Sequence, residues 1–375
     1  MDWRKRRQSG VNVLLRPQVS AETLNGSRVF AVLESKRLGD VLSYCKVLES
    51  QGSKVRLIPV YGEREALSEL KKFQKAKNDA ERRNSGVNVH KVENIGQTRR
   101  LEVLPLIDWK TGDERLRTET GVSYLLKTDD RTILFDAGLN RDDEVPSPLL
   151  KNMEALGVEI DDVDTIFLSH NHGDHVGGER WRDKNTFSVT GDQRELKVDM
   201  VYTPVKMTYP GLNPLYARDP TIIGEGLATT GTISNALYFA GAVEEQSLAV
   251  NVSGRGIVLI VGCGHQTVPL LLDRVKAVFD QPLYGVIGGL HYPVMGGPLE
   301  LYGFAPHKYS GTGKAPWEPI TVDELLANIE LIRGTGVKLV ALSPHDSSDL
   351  SLKIFQDAFP DEYRSLRVGE KLVVA

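Results

Sequence analysis

The stretch Thr165–Gly178, TIFLSHNHGDHVGG, places four side chains able to bind metal within six residues, directly after an apolar run. Thr165–Leu168 reads as a buried strand, and Ser169 ends it. His170, Asn171, His172, Gly173, Asp174 and His175 follow. Two histidines at i and i+2 beyond a strand end can point into one cavity across a tight turn, and Asp174 and His175 come close enough to serve a second ion. The spacing His–x–His–x–Asp–His thus supplies imidazole and carboxylate for one or two borderline divalent metals. The plain alternative is a polar loop that carries three histidines. It fits poorly in a chain with only 8 histidines in 375 residues.

Histidines recur where other apolar runs stop. Gly256–Val261 ends at Gly262-Cys263-Gly264-His265, Leu283–Ile287 ends at Gly288-Gly289-Leu290-His291, and Lys338–Ser343 ends at Pro344-His345-Asp346. Ligands gather at the carboxyl ends of strands in open sheets. A lone strand-end histidine is more often structural, but four such ends in one region favour a shared site. Six of the 8 histidines sit in these places, while His90 and His307 read as incidental.

The elements between them follow from pattern. Glu102–Ile107, Gly121–Lys127 and Thr132–Phe135 read as short strands, the last two separated by the turn signal Thr128–Asp130. Pro148 opens a helix whose Leu149, Leu150, Met153 and Leu156 recur at helical spacing, and Gly157 ends it. A helix over Val268–Phe279 follows the Cys263–His265 segment. Thr321 and Glu324 form a capping box for a helix with Leu325, Ile329 and Ile332 on its inner face, ended by Gly334.

Upstream lies a different texture. Residues 1–27, with the basic start Arg4–Arg7 and the brief apolar patch Val11–Leu15, read as a flexible, solvated arm, too short and polar for a leader or an anchor. Residues 28–95 read as a small α/β unit: strands at Val29–Leu33 and Val55–Val60, a helix over Leu38–Leu48, and a charged helix over Ala66–Lys77 followed by the polar stretch Asn78–Asn84. Cys45 reads as core. The unit carries no phosphate loop or metal motif, and its candidate roles are dimerisation or covering the site. Residues 96–375 form the main domain.

Composition narrows the class. A 41% hydrophobic, 26% charged chain is ordinary for a globular protein. A net charge of −4 gives no reason to expect nucleic acid as a partner, and no apolar run approaches a membrane span. Two cysteines, Cys45 and Cys263, make no disulfide framework and point to a reducing compartment, with the cytoplasm as the default.

The segment SHNHGDHVGG, preceded by a strand and by Ile133–Leu139 (ILFDAGL), resembles the metallo-β-lactamase superfamily. The resemblance covers about residues 100–375. It implies an α/β protein, an αββα sandwich with a dinuclear metal site at one edge of two sheets, here carrying the small N-terminal α/β appendage. More narrowly, the motif order is similar to the branch of 7,8-dihydropterin-6-yl-methyl-4-(β-D-ribofuranosyl)aminobenzene 5′-phosphate synthase-like metal-dependent hydrolases. The matching segments are Thr120–Gly138, Thr229–Ile233, Glu244–Val250, GCGH at 262–265, GGLH at 288–291 and SPHD at 343–346. Carried over residue by residue, His170 and His172 bind a first metal, Asp174 and His175 a second, and His345 completes the second. Asp136 orients a ligand histidine from behind.

This chain departs from the family pattern twice. The usual third histidine of the first site, between the main motif and the strand at Ile257, is absent, and His265 is the natural substitute. Where many relatives carry a bridging Asp stands Cys263, either a soft ligand that favours zinc or iron or a side chain turned aside. The implied cofactors are two divalent ions, zinc first, with iron or manganese as alternatives.

Two metals about 3.5–4 Å apart can lower the pKa of a bound water towards ~7 and steady an oxyanion, which suits hydrolysis of an ester, lactone, thioester or phosphoester. Asp174 is the candidate proton acceptor, and His291 a candidate substrate contact or proton donor. The synthase branch implies an alternative, transfer of a pterin methylene to an aromatic acceptor. A metal-binding scaffold or sensor without turnover is the non-enzyme alternative. A Cys263–His265 nucleophile pair is less economical than two metal ligands, and the flavin-binding domain of a diiron oxygen reductase has no signal. The expected partner is a small molecule, anionic or aromatic, with a homo-oligomer compatible. The long loops Met207–Gly226 and Met295–Pro319, with Tyr209, Tyr216, Tyr302, Phe304, Tyr309 and Trp317, are candidate lids or simply packed loops.

Overall fold

The computed structural model describes residues 63–375, apart from 239, 296–306, 311–312 and 315–317, and three short strands nearer the start. These are β1 (Asn12–Leu14), β2 (Arg28–Leu33) and β3 (Lys54–Pro59), paired in parallel in that order. β1 lies within the stretch that reads from sequence as an arm, its residues in register with Val29–Ala31. The helix expected over Leu38–Leu48, with Cys45, lies outside the described residues, as do Tyr302, Phe304, Trp317 and the side chain of Tyr309.

Helix α1 (Glu63–Ser85) runs past its expected end at Lys77. The stretch Asn78–Asn84 is polar, but no Gly or Pro interrupts it before Gly86. Polar residues alone do not stop a helix, so α1 continues through this stretch.

Two large sheets make up the rest. β4 (Leu101–Ile107), β5 (Ser123–Lys127), β6 (Thr132–Phe135), β7 (Thr165–Phe167), β8 (Met200–Thr203), β9 (Leu215–Tyr216) and β18 (Leu372–Val374) form one sheet, in the order β18-β4-β5-β6-β7-β8-β9. The other holds β10 (Thr221–Gly224), β11 (Leu227–Thr229), β14 (Leu248–Val252), β15 (Gly256–Val261), β16 (Leu283–Gly288) and β17 (Leu339–Leu342), in the order β10-β11-β14-β15-β16-β17. Between them in sequence, β12 (Ile233–Leu237) and β13 (Gly241–Glu245) form a separate antiparallel hairpin.

Connection length sets strand direction. Short turns join β5 to β6 and β14 to β15, and these pairs are antiparallel. Helices α2 (Pro148–Ala155), α4 (Val268–Val278) and α6 (Val322–Gly334) span the crossovers β6–β7, β15–β16 and β16–β17, and those pairs are parallel. The remaining helices are α3 (Glu179–Arg182), α5 (His307–Ser310) and α7 (Asp349–Ala358). α6 starts with the expected capping box, Thr321 and Glu324, and buries Leu325, Ile329 and Ile332.

The apolar faces define four layers. Tyr124, Ile133, Phe135 and Phe167 of the seven-stranded sheet meet Leu248, Val250, Val258, Ile260 and Ile287 of the six-stranded sheet in a buried apolar interface. Outside the latter, α4, α6 and α7 bury Leu271, Val275, Ile329 and Phe355 against it. Outside the former, Leu149 and Met153 of α2 cover Leu134 and Ile166. This is an α/β protein with an αββα sandwich. Met207 and Tyr209, in a loop considered as a lid, are core residues instead, with Tyr209 stacked on Phe187 at 4.5 Å. No helix among the described residues is long and apolar enough to cross a membrane.

Candidate metal centre

At one edge of the sandwich the chain leaves β6, β7, β15, β16 and β17, and the sequence after each stop carries polar groups. β7 hands over through Leu168 to Ser169, which is locked from behind by Asp136, the first residue past β6. The Asp136 carboxylate accepts from the Ser169 backbone N–H and hydroxyl, both at 2.7 Å. A turn then brings His172 back under its followers, with the N–H of His175 donating to the His172 carbonyl. Gly262, at the end of β15, allows the opposite sheet to close in: a Cβ there would stand 2.2 Å from the Ser169 hydroxyl.

Two groups of donors result. In the first, ring nitrogens of His170, His172 and His265 lie within 4.8 Å of one another. His170 Nε2 is 3.1 Å from His172 Nδ1, and the His265 ring is 5.0 Å from each of theirs. In the second, atoms of Asp174, His175, Cys263 and His345 lie within 4.8 Å of one another. Cys263 Sγ sits 3.0 Å from His175 Nε2 and 3.1 Å from His345 Nε2, so the thiol faces these two imidazoles rather than turning aside. The groups adjoin, with 4.1 Å between the rings of His170 and His175.

Behind the donors stands a ring of buried carboxyl groups. Asp136 meets His175 Nδ1 at 2.7 Å. Asp108, at the end of β4, accepts from the Ser343 hydroxyl (2.7 Å), which pairs with His345 Nδ1 at 2.6 Å, and Tyr124 braces the same carboxylate. Glu245 accepts from the N–H groups of Cys263, Gly264 and His265 at 2.8–3.1 Å. Asp346 accepts from the His291 N–H at 2.9 Å.

Burial pushes all four carboxyls up, Asp108 to about 6 and Glu245 to about 7. Burial also drives His172 down to about 3 and His170 and His345 well below 6.5, and raises the Cys263 thiol. His175 runs the other way: burial lowers it, but the carboxylates of Asp136, Asp174 and Glu245 together outweigh that and hold it at about 9. The four carboxyls are met by backbone N–H groups, hydroxyls and one imidazole, not by Lys or Arg. Buried charge of this kind is stable when paired or when it helps to hold metal. Lone pairs of buried imidazoles facing one another call for the same positive charge, so the donor set fits divalent ions.

The donors open on a cavity of about 590 Å³, lined also by His291, His307 and Asp346, with Arg141, Arg180 and Arg182 on its wall. His291 belongs to neither donor group. Its ring lies 5.0 Å from that of His265, burial holds it neutral, its Nε2 lies 3.3 Å from the His307 carbonyl, and its buried Nδ1 has no hydrogen-bond partner among the described residues. His307, read from sequence as incidental, lines the cavity. Glu245 and Asp346 lie in segments noted for their motifs, but no sequence signal distinguished their roles. Asp108 and Ser343 carried none either.

Residues 116–189, from the approach to β5 through the donor turn, match the family model for the metallo-β-lactamase superfamily. Over those residues the chain resembles that superfamily. Most metallo-β-lactamase superfamily proteins are metal-dependent hydrolases, and they use divalent metals. The chain is 24% identical over 239 residues to the 7,8-dihydropterin-6-methyl-4-(β-D-ribofuranosyl)-aminobenzene-5′-phosphate synthase of Methanocaldococcus jannaschii, covering 53% of this chain and 80% of that one. Among solved structures, it is similar to a metal-dependent hydrolase of the β-lactamase superfamily (19% identity, TM-score 0.49, 73% of this chain and 99% of that one). It is also similar to the short form of human tRNase Z (16% identity, TM-score 0.40, 73% and 98%).

Proposed function

We propose that the protein is a metal-dependent hydrolase of a small anionic ester, with a phosphoester as the first candidate. The observation that carries this reading is the pair of adjoining donor groups opening on one cavity with three arginines in its wall. His170, His172 and His265 would hold one ion, and Asp174, His175, Cys263 and His345 another. With a thiolate among the donors, zinc is the first choice, iron or manganese the alternatives. Divalent ions bound there supply Lewis acidity and a water made acidic enough to ionise near neutral pH.

The chain's own residues do the rest. Arg180 and Arg182 are committed to Asp143, Glu179 and Asp183. Arg141 donates instead to the neutral Thr120 hydroxyl at 3.2 Å, so that bond leaves its charge available to an anionic substrate. Asp174, partly open to the cavity, is placed to accept a proton. His291 presents Nδ1: with Nε2 donating to the His307 carbonyl, Nδ1 keeps its lone pair and accepts a hydrogen bond or a proton. That favours an acceptor over the proton donor read from sequence.

The test combines metal analysis with turnover of a nitrophenyl phosphodiester, a nitrophenyl acetate and a simple lactone. The expected result is two ions per chain and fastest turnover of the phosphodiester, lost in Asp174→Asn and with raised KM in Arg141→Ala. A second reading rests on the likeness to the synthase: transfer of a dihydropterin group to an aminobenzene riboside phosphate. Coupled product from a dihydropterin diphosphate and that acceptor, with no ester hydrolysis, would favour it. Metal bound with no turnover of any class would leave a scaffold or sensor.

A further inference from the structure

The β12–β13 hairpin is hydrogen-bonded into neither large sheet, and an isolated two-stranded hairpin is marginal without something packed on it. Side chains alternate between its faces. On one face Ser234 and Glu244 stand opposite each other in register, and the last turn of α1 grips both. Asn84 donates to the Ser234 carbonyl (2.8 Å) and accepts from the Ser234 N–H (2.7 Å), replacing a strand partner. Arg83 meets Glu244 at 2.6 Å, and Tyr216 of β9 donates to the other oxygen of that carboxylate at 2.8 Å. Phe73 and Ala76 bury Ala236 on the same face.

The opposite face holds the donor loop. Asn235 donates to the His265 carbonyl at 2.7 Å. Glu245 gathers the three successive N–H groups of Cys263, Gly264 and His265, and its own backbone forms a bridge with His170. Leu237, the last residue of β12, and Tyr238 in the turn after it line the cavity.

We propose that α1 is a positioning element for the metal centre: Arg83 and Asn84 fix the hairpin, and the hairpin, through Asn235 and Glu245, fixes the loop that carries Cys263 and His265. The proposal rests on the metal reading above, and it gives the segment before the main domain a task inside the site. Removing the grip leaves His170, His172, Asp174 and His175 on their own strand and turn, and frees the loop opposite them.

The test uses the full chain with Arg83→Ala and Asn84→Ala together, and Asn84→Ala alone should the pair prevent folding. In metal-free protein, amide exchange at Gly264 and His265 is expected to speed up at least tenfold, with the central strands of both sheets unchanged. Cobalt titration is expected to show affinity at the first donor group falling about 10–100-fold, the range for lost partners behind ligands, and an altered sulfur-to-cobalt absorption from Cys263. Arg83→Lys, which can keep the ion pair, is expected to stay near the parent. Unchanged loop exchange overturns the proposal, as does exchange that rises uniformly through both sheets. A parent protein that binds no cobalt overturns the metal reading instead, and loop exchange still decides the clamp.

Discussion

The two donor groups touch, yet they are built on different principles. In the second, each imidazole is anchored by a buried carboxyl: His175 directly by Asp136, His345 through Ser343 by Asp108. The first is three imidazoles. His170 reaches Asp136 only through the Ser169 hydroxyl, and His265 rides on a loop held by its backbone. A ligand whose far nitrogen is fixed loses little freedom on binding, and its basicity is raised. The second group is therefore the preorganised and more anionic half, the first the adaptable half, and an ion is expected to enter the second first and leave it last.

Asp136→Asn should have the largest effect, because it stands behind both groups. Affinity for both ions is expected to fall by about 100-fold, at the upper end for such partners, read by competitive titration against a chelating dye. A loss confined to the second group would break the account of Ser169 as a relay. Asp108→Asn reaches only His345, through a hydroxyl, and should weaken the second ion by about tenfold while sparing the first. Equal loss at both groups would mean that the halves are not separable. Timed removal with a chelator should proceed in two phases, the faster leaving the cobalt spectrum of Cys263 in place. One phase would erase the distinction. Cys263→Ser is the mildest: both ions are expected to remain, with loss of the sulfur-to-cobalt absorption.

Much of the second group was legible because its members sit immediately past apolar runs, where residue type and strand end coincide. His345 and Cys263 announce themselves in that way. The partners behind them do not. Asp108 lies at the far end of β4, and only the sheet order, which no local pattern encodes, brings it to Ser343. Glu245 follows another acid in a segment noted only for its family resemblance, and its burial depends on how the hairpin is seated. His307 lies in a stretch of sequence without periodicity, so nothing in its neighbourhood marks it. The C-terminal turns of α1 escape the pattern for a similar reason: Asn78–Asn84 is unlike a core helix in composition, and Arg83 and Asn84 meet the hairpin only in the folded chain.

His170 to His175 follow a strand of one sheet, whereas Cys263, His265 and His345 follow strands of the other. An ion held by them would act as a rivet through the open edge of the sandwich, and drawing the sheets apart would require giving it up. Mass action puts a scale on this: a ligand at 1,000 times its Kd adds about 4 kcal/mol to the folded state, a large share of the 5–15 kcal/mol typical of a domain. The abundance of intact chain in a cell, and not only its turnover of substrate, would then follow the local supply of ion.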